Sequence, residues 1–196
     1  MGDLVQLRKQ PLAAYRTLDE FCKTFSPSNL LAYTEDERRC FETEIAPTLG
    51  MLNVRYGKGS AASWLMLMIG VLNESTTSDR RMDMFQIKMA ASSIASVYPY
   101  LKVTELMLFF RRLLGGAYGR QFFGCVDGPT IGAALCERFL PERARMYDMI
   151  EQEKRRREEE DSEGAVYDPE RMAAIMKRLS RKFGACDGET ETGGRA

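Results

Sequence analysis

Apolar residues recur every three or four positions along most of this chain, which is the spacing of one face of an α-helix. Ile131, Leu135 and Phe139 form one such stripe. The clearest stripe lies near the C-terminus and consists of Met172, Ile175, Met176, Leu179 and Phe183. Patterns typical of strands are scarce, and the best candidate, residues 121–126, is interrupted by a glycine. The pattern therefore predicts an all-α fold, a compact bundle of about six or seven helices with a separable basic amphipathic helix at the C-terminus.

Two short sequences in the N-terminal third are typical of helix starts. Thr17–Glu20 and Thr34–Glu37 both fit the capping box, in which a hydroxyl and a glutamate accept hydrogen bonds from free backbone N–H groups. The first predicts a short helix. The second predicts a helix that continues through Leu49 unless Pro47 kinks it or stops it early.

A glycine-rich connection, residues 55–60, separates this region from an apolar segment. The connection lacks the spacing of a phosphate-binding P-loop, so it is interpreted as a loop in which Ser60 caps the next helix. That helix, residues 61–72, is apolar nearly all round and is therefore expected to be buried.

The stretch from Tyr98 to Gly128 carries the highest density of structural signals. Pro99 ends a helix that begins near Arg80, and Thr104 is placed to cap the next helix. Apolar residues cover most of the circumference of that next helix: Leu106, Met107, Phe109, Phe110, Leu113 and Leu114. Gly115-Gly116 ends it. The pattern predicts that this helix lies at the centre of the core.

The C-terminal half changes from apolar to strongly charged. Pro129 is well placed to start a helix, and Pro141 to kink or restart it. The basic run Lys154–Arg157 is flanked by acids that cancel its field, so residues 151–164 are interpreted as a solvated, salt-bridged helix. The predicted organisation is a helical domain (1–160, core 60–150), a linker (161–167), an amphipathic helix (168–184) and a disordered tail (185–196).

The composition narrows the classes of function. Apolar residues make up 44% of the chain and charged residues 29%, and the basic and acidic residues balance at 28 each. Histidine is absent, which removes the usual general base and every Ser-His or Cys-His nucleophile pair. The five cysteines form no Cys-x-x-Cys pair. We therefore expect neither an enzyme nor a metal or cofactor site.

Targeting signals are also lacking in the sequence. The N-terminal residues contain no apolar stretch typical of a signal peptide. The longest apolar run, residues 64–72, is too short to cross the roughly 30 Å hydrocarbon layer of a membrane. Scattered thiols suit a reducing compartment. These observations predict a cytoplasmic protein without a membrane partner.

The loop at residues 116–123, GAYGRQFF, is the first candidate binding surface. Glycine, arginine and aromatic residues are the types that stack on bases and contact phosphate. The candidate residues here are Arg111, Arg112, Tyr118, Arg120, Phe122 and Phe123. The alternative is structural: the rings fold back onto the core, the glycines make turns, and the arginines cap the end of the preceding helix. The two interpretations differ in the solvent exposure of the three rings.

The C-terminal amphipathic helix is the second candidate surface. Its polar side carries Lys177, Arg178, Arg181 and Lys182 as candidate contacts, and Glu170 is its single acid. A basic amphipathic helix suits nucleic acid, an acidic groove of a partner protein or a membrane surface. The alternative is that the helix docks on its own domain and that its basic residues are merely solvated.

Residues 86–143 resemble a family of uncharacterised helical proteins from mobile elements and prophages of gut Bacteroidales. The resemblance rests on a Gly-x-Tyr-Gly core and its flanking pairs: Gln86-Ile87, Tyr98, Leu101-Lys102, Glu105-Leu106, Phe109-Phe110, Gly116, Tyr118-Gly119, Phe122-Phe123, Val126-Asp127 and Glu142-Arg143. The genomic setting of such proteins implies DNA metabolism, as a replication accessory or helicase-loader-like factor.

Two functional hypotheses follow. The first is a non-enzymatic accessory protein that binds a DNA-replication or DNA-processing partner of a mobile element, or DNA itself. The alternative is a structural or protein-interaction helical module without nucleic-acid contact. A protein partner is expected in either case, whereas nucleic acid is a partner only in the first.

Overall fold

The computed structural model describes residues 12, 14–42, 46–75, 81–119, 127–164 and 169–183, with the backbone alone at 161–164, 169–171, 175 and 181–183. Within these ranges the chain forms helices and turns, with one isolated antiparallel bridge between Thr48 and Lys102 and no strand. The predicted all-α class is confirmed. The chain divides into two compact units, residues 1–149 and 150–196.

The helices of the first half are short and closely spaced: α1 (Leu18–Thr24), a 3₁₀ turn (Pro27–Asn29), α2 (Leu30–Thr34), α3 (Glu37–Glu42), α4 (Leu49–Tyr56) and α5 (Ser60–Glu74). The second half contains longer helices: α6 (Met84–Val97), α7 (Val103–Leu114), α8 (Gly128–Ala133), a π-helical turn (Ala134–Phe139), α9 (Leu140–Gly164) and α10 (Pro169–Phe183). The predicted linker falls partly on α9 and partly outside the described residues, and the predicted tail lies wholly outside them.

The first capping box is confirmed, and the second is wrong. Thr17 accepts a hydrogen bond from the N–H of Glu20 at 3.2 Å, and the Glu20 carboxylate accepts one from the N–H of Thr17 at 3.4 Å. Thr34 instead ends α2, where its buried hydroxyl donates to the carbonyl of Leu30 at 2.6 Å. Asp36 supplies the carboxylate at the start of α3, accepting from the N–H of Arg38 at 3.1 Å.

The helix predicted to run through to Leu49 is also interrupted. Helix α3 ends at Glu42, and α4 begins at Leu49, where the Thr48 hydroxyl accepts from the N–H of Met51 at 3.3 Å. Residues 43–45 lie outside the described ranges. Of the two outcomes expected at Pro47, the structure has the early stop.

Neither Ser60 nor Thr104 caps a helix as predicted. Ser60 does not cap α5, because the side-chain oxygen of Asn53 accepts from the N–H groups of Gly59 and Ala61 at 3.2 and 3.1 Å. Thr104 lies inside α7 and donates its hydroxyl to the carbonyl of Cys40 at 2.8 Å. The Ser60 hydroxyl donates locally to the carbonyl of Gly57 at 2.7 Å, whereas a tertiary contact determines the partner of Thr104.

Helix α7 is the centre of the core, as predicted. Leu106, Met107, Phe109, Phe110 and Leu113 are all buried, and of the predicted apolar set only Leu114 is exposed. Full burial of such a side chain contributes about 1.5–3 kcal/mol. Helix α5 packs beside α7 and buries Trp64, whose ring N–H donates to the carbonyl of Phe25 at 2.8 Å.

The stripe Ile131, Leu135 and Phe139 is fully buried, which confirms its prediction. It spans α8 and the π-helical turn that immediately precedes α9. Pro141 lacks a backbone N–H, and the wider turn before it lets the chain continue helically across this position.

The start of α4 is joined to the loop before α7 by backbone hydrogen bonds. The N–H of Gly50 donates to the carbonyl of Pro99 at 2.7 Å, and the N–H of Leu49 donates to that of Leu101 at 3.0 Å. A Cβ at Gly50 would lie 3.1 Å from the Pro99 carbonyl oxygen. A side chain at this position would therefore push the two backbones apart by a few tenths of an ångström.

Candidate interaction surfaces

The structure places the predicted site residues in different environments. Arg111, Arg112 and Tyr118 lie in the first unit among other side chains, and Lys177 and Arg178 are exposed on α10. The other candidates are not described as side chains: Arg120, Phe122 and Phe123 lie outside the described ranges, and α10 has the backbone alone at Arg181 and Lys182.

Arg112 connects three helices of the first unit. Its guanidinium donates to the carboxylate of Glu37 on α3 and to that of Glu142 on α9, each at 2.6 Å. The hydroxyl of Tyr118 donates to the same Glu142 carboxylate at 3.3 Å. Charge-assisted hydrogen bonds of this kind orient both partners. The guanidinium of Arg112 is thus held by the fold itself.

Arg111 and Tyr118 also face inwards. Arg111 donates a hydrogen bond to the backbone carbonyl of Thr34. Tyr118 is 7% exposed, and its ring centroid lies 5.8 Å from that of Phe109. Burial is the main cause that raises the pKa of Tyr118 to about 12. Tyr118, the described ring of the loop, thus packs against the core, and Arg111 bonds to the backbone.

The sequence analysis did not predict that the carboxylate of Glu105 is buried among polar partners. Glu105 on α7 is fully buried and accepts hydrogen bonds from the backbone N–H of Lys102 at 2.9 Å, Arg143 Nε at 3.1 Å and the Tyr147 hydroxyl at 2.6 Å. The Arg143 guanidinium lies 4.6 Å from the Tyr147 ring centroid and 5.5 Å from that of Tyr100. We name Glu105, Arg143 and Tyr147 the Glu105 cluster.

The sequence contained one signal for the Glu105 cluster. Glu105 lies three residues after Lys102, where a glutamate accepts from the backbone N–H that precedes a helix. Arg143 and Tyr147 are 38 and 42 residues away from it, so no local pattern joins them. Burial and the hydrogen bond to Glu105 raise the pKa of Tyr147 above its ordinary value.

The polar groups of the Glu105 cluster bond to one another and to the backbone. In the part of the chain that the structure describes, every buried side-chain nitrogen and oxygen has a hydrogen-bond partner. No group of three or more cysteine, aspartate or glutamate side chains in that part is arranged to hold a metal ion. The cluster joins α7 to α9 through the contacts of Glu105 with Arg143 and Tyr147.

Helix α10 has the opposite character. Along one face, Met172, Met176 and Leu179 are 44%, 63% and 45% exposed. Lys177 and Arg178 are exposed on its other side. The predicted bounds of this helix, 168–184, are close to the observed Pro169–Phe183. A face of large apolar side chains in water, on a helix with a basic opposite face, is typical of interaction surfaces.

A shallow groove lies between α6 and α8 in the first unit. Its volume is about 530 Å³, and Met89, Val97 and Pro129 contribute to its walls. Val97 of α6 is exposed at the groove, whereas Ile87 and Ile94 of the same helix are buried. The groove is apolar, and the structure does not indicate what would occupy it.

The charged part of α9 agrees with its prediction. Arg155 pairs with Glu151 at 3.3 Å, and Arg156 pairs with Glu160 at 3.4 Å, each four residues apart and largely exposed. Such surface pairs contribute little to stability, about 0–1 kcal/mol each. Among the described residues, no helix combines the length and the apolar content needed to cross a bilayer.

Comparison with models of protein families gives a match that extends from just before α6 into α10. Residues 81–177 match the model of DUF6633, a family of unknown function. No curated protein and no solved structure matches the chain. The DUF6633 range contains the Glu105 cluster, the groove and the first turns of α10. It also contains residues 86–143, on which the resemblance to helical mobile-element proteins was based.

Proposed function

We propose that this protein is a non-enzymatic helical interaction module that binds a partner protein through the apolar face of α10. The observation that carries the proposal is the exposure of Met172, Met176 and Leu179 on one side of that helix. An apolar face in water is unfavourable by about 25 cal/mol for each Å² left uncovered. Contact with a partner would remove this cost.

The spacing of the exposed residues supports a helix-in-groove mode of binding. Met172, Met176 and Leu179 occupy positions i, i+4 and i+7, which are the anchor positions of amphipathic helices that insert into apolar grooves. Isolated helices of this length are marginal in water, so burial of the face would also stabilise the helix.

In this proposal the first unit is a scaffold. Arg111, Arg112 and Tyr118 were the described candidates for nucleic-acid contact in the loop, and each is engaged by the fold. Their environment favours the interaction-module hypothesis over direct contact of this loop with DNA. The resemblance to proteins of mobile elements suggests a partner from DNA replication or processing, which we include in the proposal.

A comparative pull-down tests the proposal. The full chain and the variant Met172→Ser/Met176→Ser/Leu179→Ser serve as bait in extracts of the native host, with quantitative mass spectrometry of the captured proteins. The control variant Leu31→Ser/Val54→Ser removes two exposed apolar side chains from the first unit. We expect a partner that both wild type and control retain and that the α10 variant loses.

Retention of every captured protein by the α10 variant would contradict the proposal. A shift assay with single- and double-stranded DNA at low salt tests the other hypothesis, that the basic face of α10 binds DNA directly. DNA binding that Lys177→Glu/Arg178→Glu abolishes and the serine variant retains would replace protein binding by nucleic-acid binding.

A further inference from the structure

From the charge of α10 we infer that its partner surface is an apolar groove on a protein with an acidic rim. This inference rests on the proposed function and specifies the chemistry of the same site. The proposed function depends on the apolar face of α10 alone, whereas the acidic rim follows from its basic face.

The charges of α10 are strongly one-sided. The helix contains five basic residues and one acid, Glu170, which gives a formal charge of +4. With 3.6 residues in each turn, its basic residues fall outside the arc of Met172, Met176 and Leu179. Lys177 and Arg178 are exposed. A groove that covers the apolar face would meet these basic side chains along its edges.

A second copy of this chain does not fit that surface. Two α10 helices packed face to face would each bring a formal charge of +4 to the same contact, and like charges in register repel. The helix has 15 residues, about two heptads, which is short for a stable coiled coil. An acidic rim removes the repulsion and converts the basic residues into favourable contacts.

Nucleic acid fits only half of the helix. Phosphates would neutralise the basic side, but they would leave Met172, Met176 and Leu179 in water. An acidic, apolar groove complements both faces at once. This complementarity is the reason for choosing a protein groove over nucleic acid as the occupant.

The test uses a defined acidic groove as probe. Calcium-loaded calmodulin presents a Met-rich apolar groove and accepts many basic amphipathic helices, so it serves here as a surrogate surface. Its affinity for the full chain is measured by calorimetry at low and high salt. A DNA duplex and vesicles of neutral and anionic lipid are tested in parallel.

We expect calmodulin to bind the wild-type chain and the affinity to fall with added salt. Lys177→Glu/Arg178→Glu should weaken binding by at least about tenfold, because reversed rim charges repel the groove. The matched control Arg155→Glu/Arg156→Glu makes the same charge change on α9 and should alter affinity by less than about threefold. The serine variant of α10 should lose binding.

In the calmodulin experiment, the inference is overturned by no binding, by binding that charge reversal at Lys177 and Arg178 leaves unchanged, or by tighter binding to DNA or anionic vesicles. The proposed function fails separately. A host partner that depends on Met172, Met176 and Leu179 but not on salt or charge reversal keeps the proposed function and refutes the acidic rim.

Discussion

Replacing Arg143 by methionine removes the positive charge that faces the buried carboxylate of Glu105. Methionine keeps much of the apolar stem, so the change is chiefly electrostatic. Glu105 is fully buried, whereas the Arg143 side chain is 22% exposed. After the change, Glu105 retains the hydrogen bonds from the backbone N–H of Lys102 and from the Tyr147 hydroxyl.

The magnitude follows from these contacts. Breaking a buried ion pair by removing one partner costs about 3–5 kcal/mol. Partial exposure of Arg143 and the two remaining hydrogen bonds reduce this cost, and the lost contact with the Tyr147 ring adds about 0.5–1 kcal/mol. We expect Arg143→Met to lower the free energy of unfolding by about 3 kcal/mol, within the range for buried polar disruptions.

Urea unfolding measures this change directly. Trp64 is the single tryptophan and is fully buried, so its fluorescence reports the unfolding of the first unit. With a urea dependence of about 1–3 kcal/mol/M, the midpoint should fall by roughly 1–3 M. A double-mutant cycle with Glu105→Gln should give a coupling of at least about 1 kcal/mol.

Arg156→Met is the matched control, since its ion pair with Glu160 is exposed. It should change stability by less than about 0.5 kcal/mol. If Arg143→Met has an effect as small as this control, the Glu105 cluster does not hold the fold and the reasoning is refuted.

Three other predictions concern glycine positions, thiols and pH. Gly50→Ala should lower the melting temperature, because its Cβ would meet a backbone oxygen at 3.1 Å, whereas Gly70→Ala, with nothing within 4 Å, should stabilise α5 by about 0.5–1 kcal/mol. Equal effects would contradict the close approach. Iodoacetamide should modify exposed Cys136 well before buried Cys40, because burial raises the pKa of the Cys40 thiol to about 11. Peptide mapping measures the order of modification, and faster modification of Cys40 would refute the prediction. Stability should fall as the pH rises from about 10 to 12, because Tyr118 loses its proton near pH 10 when unfolded and near 12 when folded. Tyr118→Phe should reduce this fall in alkaline urea titrations, and an unchanged fall would exclude the contribution.

The core could be predicted because its signals are local. Helix α7 is apolar around most of its surface, and the buried stripe from Ile131 to Phe139 keeps its spacing through the π-helical turn. The cap of α5 and the partner of Thr104 could not, because the Asn53 side chain and the Cys40 carbonyl belong to other helices. A hydroxyl near a helix start is a local signal, but for Thr104 a tertiary contact determines the partner.

The candidate site shows the same division. Sequence marked Arg112 and Tyr118 as polar and aromatic residues near a loop, but not that Glu37 and Glu142 converge on the arginine. For α10, the periodicity of the sequence predicted the apolar face and the basic face, because the residues of both faces lie on one helix. The sequence could not predict how exposed the apolar face is. In the structure, Met176 on this face is 63% exposed.

Calorimetric titration of the purified host partner with the full chain tests the central claim most directly. The claim is that Met172, Met176 and Leu179 on α10 form the binding surface. Loss of three apolar anchors, at about 1–2 kcal/mol each, predicts that the triple serine variant binds at least roughly a hundredfold more weakly. Binding of the variant with the same affinity as the wild type would contradict the account.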